Sequence, residues 1–149
     1  MADLVDTNVL VYRFDPRFPQ KQALAESLIR EGIARDSIRV AHQAIVEFFS
    51  AVTRPQQGGL PLLSPDDARR ETEELLAQLE VLYPDEELLR LALRGQAAYQ
   101  LSWFDAHMWA YAEHHGLERL LSEDFQSGRM YGSVLAVDPF VTEETEAAN

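Results

Sequence analysis

The sequence predicts a single α/β domain whose short strands form a mainly parallel sheet. Short apolar segments alternate along the chain with longer segments of helical periodicity, which is typical of strands joined by helical crossovers. The chain has 149 residues, of which 46% are hydrophobic, and this suits one globular domain with a substantial core. We expect residues 1–141 to form the domain and the acidic segment 142–149 to be a frayed tail.

The expected strands are short runs of apolar and β-branched residues. The first covers residues 4–6 and ends in an acid, Asp6, and residues 9–12 then open the next element. Further strands are expected at residues 37–41, 81–83, 120–122 and 134–137.

The expected helices are defined by apolar spacing and by residues that favour helix ends. Gly32 is expected to end a helix over residues 20–31. In residues 42–54, apolar side chains recur at i, i+3, i+4 and i+7, as on the buried face of a helix. Ser64 followed by proline suits a helix start. The remaining helices are expected at residues 64–79, 86–99 and 102–115.

Composition excludes several classes of function. The chain carries 25 acidic and 13 basic residues, a net charge of −12, so a uniformly nucleic-acid-binding surface is disfavoured and any phosphate binding needs a local basic patch or divalent ions. The absence of cysteine excludes disulfides, thiol catalysis and cysteine-based zinc sites. No apolar run approaches the ~20 residues that span a bilayer, and the N-terminus lacks a signal peptide's basic flank. We therefore expect a cytoplasmic protein without a membrane partner.

Two acids follow predicted strands, at the edge where parallel sheets bind their ligands. Asp6 follows an apolar pair, and an unpaired carboxylate among apolar residues is unfavourable, so it must be paired or lie at an open strand end. Asp124 follows the strand predicted at 120–122, but Glu123 stands beside it. Neighbours on a strand point to opposite faces, so the residues alone leave open which of the two is functional.

Two further acids lie on predicted helices. Asp105 stands three residues after Ser102, which resembles a capping box, and it lies at the edge of the apolar helix face. Glu47 lies opposite an apolar stripe, where periodicity favours a solvated acid paired with Arg54. Converging carboxylates would repel one another unless a cation joined them. An all-oxygen ligand set suits Mg²⁺ or Mn²⁺.

Four segments in order resemble the PIN domain family, and within it the VapC-type toxins of toxin–antitoxin pairs. These segments are residues 6–10 (DTNVL), Glu47 followed by Arg54-Pro55, residues 103–106 (WFDA) and residues 122–125 (SEDF). The resemblance extends over nearly the whole chain. It implies a three-layer α/β/α sandwich around a short, mainly parallel sheet, and a metal-dependent ribonuclease activity.

The resemblance also implies roles for individual residues. The family's metal-binding, catalytic acids fall on Asp6, Glu47, Asp105 and Asp124. Asn8 and Ser122 would support these acids, and Mg²⁺ or Mn²⁺ would be the cofactor. The resemblance favours Asp124 over Glu123. It also implies that the polar face of the helix carrying Glu47 faces the site.

The partners implied by the resemblance are an RNA substrate, a small VapB-like antitoxin and a second copy of the chain in a homodimer. By family resemblance, the antitoxin would insert a segment carrying a basic residue into a groove beside the acids. Basic residues near the site end of the sheet are candidate RNA contacts. They are Arg13, Arg17 and Arg54, with Lys21 and Arg129 as further candidates.

Other interpretations of the sequence stay open. An aspartyl-phosphate phosphotransfer domain also has an acid at a strand end but needs a nearby lysine, and Lys21 is the only lysine. A catalytically inactive PIN fold could serve only to bind a partner. Histidines at positions 42, 107, 114 and 115 could bind zinc, although two of them precede Gly116 at a helix end, where histidine is favoured. Aromatic residues at 103, 104, 109 and 111 could stack on bases or could be core or dimer contacts.

Overall fold

A computed structural model describes residues 2–141 of the chain. The described part contains six helices and six strands, and two helices lie between each consecutive pair of the first four strands. In chain order the elements are β1 (Asp3–Val5), α1 (Thr7–Tyr12), α2 (Pro19–Arg35), β2 (Ile38–Ala41), α3 (His42–Thr53), α4 (Pro65–Gln78), β3 (Glu80–Leu82), α5 (Glu86–Tyr99), α6 (Trp103–His114), β4 (Arg119–Leu121), β5 (Met130–Tyr131) and β6 (Val134–Val137).

The strands form one sheet in the order β3-β2-β1-β4-β6-β5. Within residues 2–141, β5 pairs antiparallel with β6, and the other pairings are parallel. Val5 on β1 lies opposite Val40 on β2 and Leu121 on β4, and all three side chains are buried. Helix α6 packs against β1, β4 and β6, whereas α2 and α3 pack against β2. The predicted α/β fold with a mainly parallel sheet is confirmed.

The sheet reverses its direction of growth between β1 and β4. From β1 the chain adds β2 and then β3 on one side, and it returns through α5 and α6 to place β4 on the other side of β1. Where the strand order reverses, the connections that follow the two neighbouring strands run in opposite directions. A crevice therefore opens at the carboxyl ends of these strands. The crevice therefore lies after Val5 and Leu121.

The expectation that Gly32 ends the second helix is wrong. Helix α2 continues to Arg35, and the chain leaves it at Asp36, which adopts a left-handed conformation with φ of 51°. Gly32 instead permits close packing, because a Cβ atom added there would lie 2.6 Å from Cδ1 of Ile38 on β2. The glycine serves the contact between helix and sheet.

Two boundaries also differ from the expectations. Asp6 lies outside β1 and caps α1, and the two-residue strand β5, Met130–Tyr131, was not predicted because so short a pairing leaves no periodic pattern. The segment 142–149, expected to be a frayed tail, lies outside the described residues. No helix in residues 2–141 combines the length and apolar character that crossing a bilayer requires.

Candidate active site

The carboxyl ends of β1 and β4 bring Asp6 and Ser122 into direct contact. Asp6 caps α1, and its Oδ1 accepts a 2.7 Å hydrogen bond from the backbone N–H of Thr7. Its Oδ2 accepts a 2.6 Å bond from Oγ of Ser122. The two residues are 4% and 0% exposed. Both carboxylate oxygens of this buried acid therefore have donors.

Asn8 and Ser122 hold Asp124 beside this pair. Nδ2 of Asn8 donates to Oδ2 of Asp124 at 3.1 Å and to Oγ of Ser122 at 3.2 Å. The backbone N–H of Asp124 also donates to Oγ of Ser122, at 3.0 Å. The hydroxyl of Ser122 thus links two of the predicted acids, and the structure brings both predicted supporting residues to them.

Glu47 reaches the same region from α3. Its Oε2 accepts a 2.7 Å bond from Oγ1 of Thr7, and its Oε1 accepts a 3.0 Å bond from Nε2 of Gln43. Gln43 also donates to the backbone carbonyl of Phe104, which ties α3 to the start of α6. Glu47 is half-buried. The solvated pair with Arg54 that periodicity favoured is therefore not formed, and the polar face of α3 lines the site instead.

Asp105 lies in the first turn of α6. Its backbone N–H donates to Oγ of Ser102 at 3.2 Å, so the capping interaction suggested by the sequence is present. The side chain is half-buried, and desolvation raises the pKa of Asp105, with the charges of Asp124 and Glu47 raising it further. Asp105 thus lies in the first turn of α6 and is close enough to Asp124 and Glu47 for their charges to raise its pKa.

Burial has its largest effect on Asp6. Desolvation raises the pKa of this carboxyl to about 7, although the bonds from Ser122 and Thr7 act in the opposite direction. The charges of Asp124 and Asp105 raise the pKa of Asp6 as well. The charges of neighbouring acids therefore reach both Asp6 and Asp105, and ionising these two together is unfavourable without a cation.

The chemistry of this group fits a hard divalent ion. Its ligands would be carboxylate oxygens, and the amide oxygen Oδ1 of Asn8 is buried without a hydrogen-bond partner among residues 2–141. Mg²⁺ and Mn²⁺ prefer such oxygen ligands. Across the same residues, no group of three or more acidic or histidine side chains is already gathered tightly enough to hold an ion. Neighbouring polar groups bind the acids instead.

Glu123, the alternative to Asp124, lines the same cleft but has different hydrogen-bond partners. Its Oε1 accepts a 2.6 Å bond from the hydroxyl of Tyr12, and its Oε2 forms a 2.9 Å ion pair with Nζ of Lys21. Glu123 therefore contacts the end of α1 and the start of α2, whereas Asp124 contacts Asn8 in the first turn of α1. Glu123 and Asp124 thus differ in their hydrogen-bond partners, a difference that the residues alone did not reveal.

The candidate RNA-binding arginines occupy different places. Arg17 lines a cleft beside Asp124, and Arg54 is exposed at the end of α3. Arg13 lines a separate cavity, and its guanidinium lies over the rings of Phe14 and Phe48. The RNA contact expected at Arg13 stays a prediction, and this side chain lies at a different cavity from Asp124. Arg129 lies 4.5 Å over the ring of Tyr131.

The histidines form no group of three among residues 2–141, although the rings of His114 and His115 lie 5.1 Å apart. His107 contacts the carbonyl of Trp103, and His114 lies 3.2 Å from Asp85. His42 stacks on Tyr83. The aromatic residues at 109 and 111 are buried, whereas those at 103 and 104 are exposed.

Sequence reasoning missed Thr7 and Gln43, the two donors to Glu47. One signal was present, since Gln43 and Glu47 are four residues apart and share a helix face. Thr7 carried no signal beyond following Asp6, because its contact joins residues 40 apart in the chain.

Comparison with protein families identifies the class of this chain. A family model described as PIN domain matches residues 4–132. The chain therefore belongs to the PIN domain family. A comparison with curated protein sequences gives no significant match.

Solved structures share the fold at low sequence identity. A DNA-bound VapBC from Salmonella typhimurium superposes with a TM-score of 0.68 at 12% identity, over 93% of this chain and 98% of that chain. A toxin–antitoxin complex from Klebsiella pneumoniae gives 0.64 at 18% identity, over 93% and 98%. VapC20 from Mycobacterium tuberculosis, a sarcin-ricin loop cleaving toxin, gives 0.58 at 14% identity, over 80% and 87%.

Proposed function

We propose that this PIN domain is a metal-dependent endoribonuclease and the toxin of a type II toxin–antitoxin pair. The observation that carries the proposal is the meeting of acids from separate segments at one crevice, where the charges of neighbouring acids raise the pKa of Asp6 and of Asp105. The likeness to toxin–antitoxin structures, one of them an RNA-cleaving toxin, supports the choice of substrate and role. The acids are Asp6, Glu47, Asp105 and Asp124.

The acids would hold Mg²⁺ or Mn²⁺, with Asp6, Asp105 and Asp124 as direct ligands and Glu47 acting directly or through water. When bound, such an ion supplies a water molecule of lowered pKa and neutralises the oxygen that leaves phosphorus. No side chain of the protein needs to act as a nucleophile.

The surrounding residues orient these acids. Ser122 fixes the carboxylate of Asp6, and Asn8 fixes that of Asp124. Thr7 and Gln43 hold Glu47 by both of its oxygens. The apolar ends of β1 and β4 beneath them exclude water from one side of the site. This support keeps the acids in place before substrate arrives.

The alternatives receive less support. A phosphotransfer domain would need a lysine at the strand-end acid, but Lys21 is paired with Glu123 and Tyr12. An inactive partner-binding domain would gain nothing from a buried acid such as Asp6, whose ionisation is unfavourable.

The expected partners follow from the toxin role. An antitoxin segment with a basic residue would be attracted by the acids and by the net charge of −12. A homodimer would cover apolar side chains that are exposed in the single chain, such as Val46 and Leu93. The RNA target would place the protein in the cytoplasm.

The test is cleavage of a mixed pool of structured RNAs with Mg²⁺, Mn²⁺ or EDTA. Wild type is compared with Asp6→Asn and with Asp66→Asn, an exposed acid on α4 that serves as the control. We expect discrete metal-dependent cuts that Asp6→Asn loses and Asp66→Asn retains. Cuts that persist in Asp6→Asn would contradict the site, and a folded protein that neither cuts RNA nor binds metal would favour the partner-binding domain.

A further inference from the structure

A cleft of about 320 Å³ adjoins the acids. Asn8 and Asp124 lie at its walls together with three residues that the proposed chemistry does not use, Tyr12, Arg17 and Phe18. The cleft is within the size range of small-molecule sites. It offers an aromatic ring and a guanidinium immediately beside the place where a phosphate would be cut.

Arg17 is held in this cleft by a buried acid. Asp15 is only 3% exposed, and among the described residues Arg17 donates every hydrogen bond to its side chain. Nε and Nη2 of Arg17 contact the two carboxylate oxygens at 2.9 and 2.8 Å, and the backbone N–H adds a bond of 3.1 Å. Nη2 also donates to Gln56 at 3.3 Å. The guanidinium is therefore fixed in position before any ligand binds.

The fixed guanidinium still has donors to offer. The Arg17 side chain is 44% exposed, and within residues 2–141 its Nη1 makes no hydrogen bond. Guanidinium groups bind phosphate through such paired N–H donors. The hydrogen bonds from Arg17 lower the pKa of Asp15, so this carboxylate stays ionised and keeps Arg17 in place.

Phe18 provides a ring at the same cleft. It is 43% exposed, although it is a large apolar residue next to a well-packed core. The ring of Tyr12 meets it edge-on at 5.6 Å, and the cations of Arg17 and Lys21 lie 5.5 and 5.6 Å from its centre. An exposed ring flanked by cations is the arrangement on which single-stranded nucleic acids stack their bases.

We propose that this cleft is a subsite for one unpaired nucleotide next to the cut phosphate, with its base stacked on Phe18 and a phosphate oxygen bound by Arg17. The inference rests on the proposed ribonuclease function and assigns two contacts of its substrate, a base on Phe18 and a phosphate oxygen on Arg17. Because the chain is strongly acidic overall, RNA must be held by local contacts of this kind. The subsite would favour RNA loops over duplexes, whose bases are already stacked.

The experiment measures RNA binding apart from cleavage. Two fluorescent probes are titrated by anisotropy in EDTA at low salt: a ten-nucleotide oligoadenylate and a ribose–phosphate chain of the same length without bases. The proteins are full-length wild type, Phe18→Ala, Phe18→Trp and Tyr83→Ala. Tyr83 is a matched control, because it is exposed but stacks on His42 outside the cleft.

We expect Phe18→Ala to weaken oligoadenylate binding by about fivefold or more, the lower end of the effect of losing one stacked base. The same variant should bind the probe without bases as wild type does, and Phe18→Trp should restore oligoadenylate binding. Tyr83→Ala should leave both affinities unchanged. A Phe18→Ala protein that binds oligoadenylate as tightly as Tyr83→Ala, or that weakens both probes equally, would overturn the subsite and leave the cleft to a protein partner.

Arg17→Lys tests the second contact. Lysine can keep the ion pair with Asp15 but cannot present the free N–H pair of Nη1, so we expect it to weaken both probes. Unchanged binding of both probes would remove Arg17 from the subsite. The binding and cleavage measurements also distinguish the two proposals. Base-dependent binding without RNA cleavage would contradict the ribonuclease function alone. RNA cleavage that Phe18→Ala leaves unchanged would contradict the subsite alone.

Discussion

The hydroxyl of Ser122 donates a 2.6 Å hydrogen bond to the carboxylate of Asp6 across the adjoining ends of β4 and β1. The same oxygen accepts bonds from the side chain of Asn8 and the backbone of Asp124. A hydroxyl has one proton to donate and two lone pairs to accept with. The N–H groups of Asn8 and Asp124 occupy both lone pairs, and neither group can accept a hydrogen bond. The single proton of the hydroxyl therefore points to Asp6.

Ser122→Ala should therefore weaken the site without removing an acid. The bond from Ser122 lowers the pKa of Asp6, so its loss raises that pKa and reduces the ionised fraction near neutral pH. We expect RNA cleavage to fall by about 10- to 100-fold, as for other residues that orient metal ligands, and its pH profile to move to higher pH. Cleavage rates between pH 6 and 9 measure both effects. Ser127→Ala, on an exposed turn, is the control, and an unshifted profile in Ser122→Ala would contradict the role.

Asp6 should make the metal-free protein less stable as pH rises. The folded protein keeps a proton on Asp6 up to about pH 7, whereas the unfolded chain releases it near 3.8, so the free energy of unfolding falls across this interval and then levels off. Asp6→Asn removes this loss. We expect its melting temperature in EDTA to exceed that of wild type by an amount that grows from pH 4 to 7. Parallel melting curves across this range would show that Asp6 is not buried in its neutral form.

Mg²⁺ should raise the melting temperature by relieving repulsion among the acids. The shift should grow with ion concentration and should be lost in Asp105→Asn, because this change removes one ligand while leaving the capping bond from its backbone N–H. Differential scanning calorimetry at several Mg²⁺ concentrations gives the measurement. No shift at saturating Mg²⁺ would count against a shared metal site.

Glu123 and Asp124 should respond differently to loss of charge. Asp124→Asn should reduce cleavage to background, because it removes a proposed metal ligand. Glu123→Gln should leave cleavage largely intact and should instead lower the melting temperature, since it weakens the contacts with Lys21 and Tyr12. Both variants are measured for cleavage and melting side by side. The opposite ranking in cleavage would mean that Glu123 is the functional acid.

Gly32→Ala should destabilise the fold through a single methyl group. The new Cβ would lie 2.6 Å from Ile38, and inserting a methyl into a packed core costs about 1–3 kcal/mol. Thermal or denaturant unfolding measures the loss. The double variant Gly32→Ala/Ile38→Ala should recover part of the stability relative to the two single changes, and strict additivity would contradict direct contact.

The strand-end acids of the candidate site follow from the sequence pattern, whereas the acids on helices, Glu47 and Asp105, were predicted from the family resemblance. Asp6 follows an apolar run, so the predicted sheet places it at a strand end, whereas the choice of Asp124 over Glu123 came from the family resemblance. Periodicity assigned Glu47 to solvent because a polar face that lines a site has the same pattern as a face in water. The surroundings of Arg13 could not be predicted for a related reason, since the ring of Phe48 comes close to its guanidinium only in the folded chain.

Gly32 illustrates the same limit at the level of the backbone. Glycine commonly ends helices, and that local preference predicted a boundary one turn too early. The actual requirement is space for Ile38 on the adjacent strand, which no pattern within α2 reveals.

The placement of β4 beside β1 has a consequence for how the protein is made. Ser122 and Asp6 are 116 residues apart in the chain, yet they meet at one strand boundary. A nascent chain emerging from the ribosome carries Asp6 early but cannot complete the acidic group until the segment after β4 has been synthesised. Under the proposed ribonuclease function, a chain that stops before β4 therefore cannot cleave RNA.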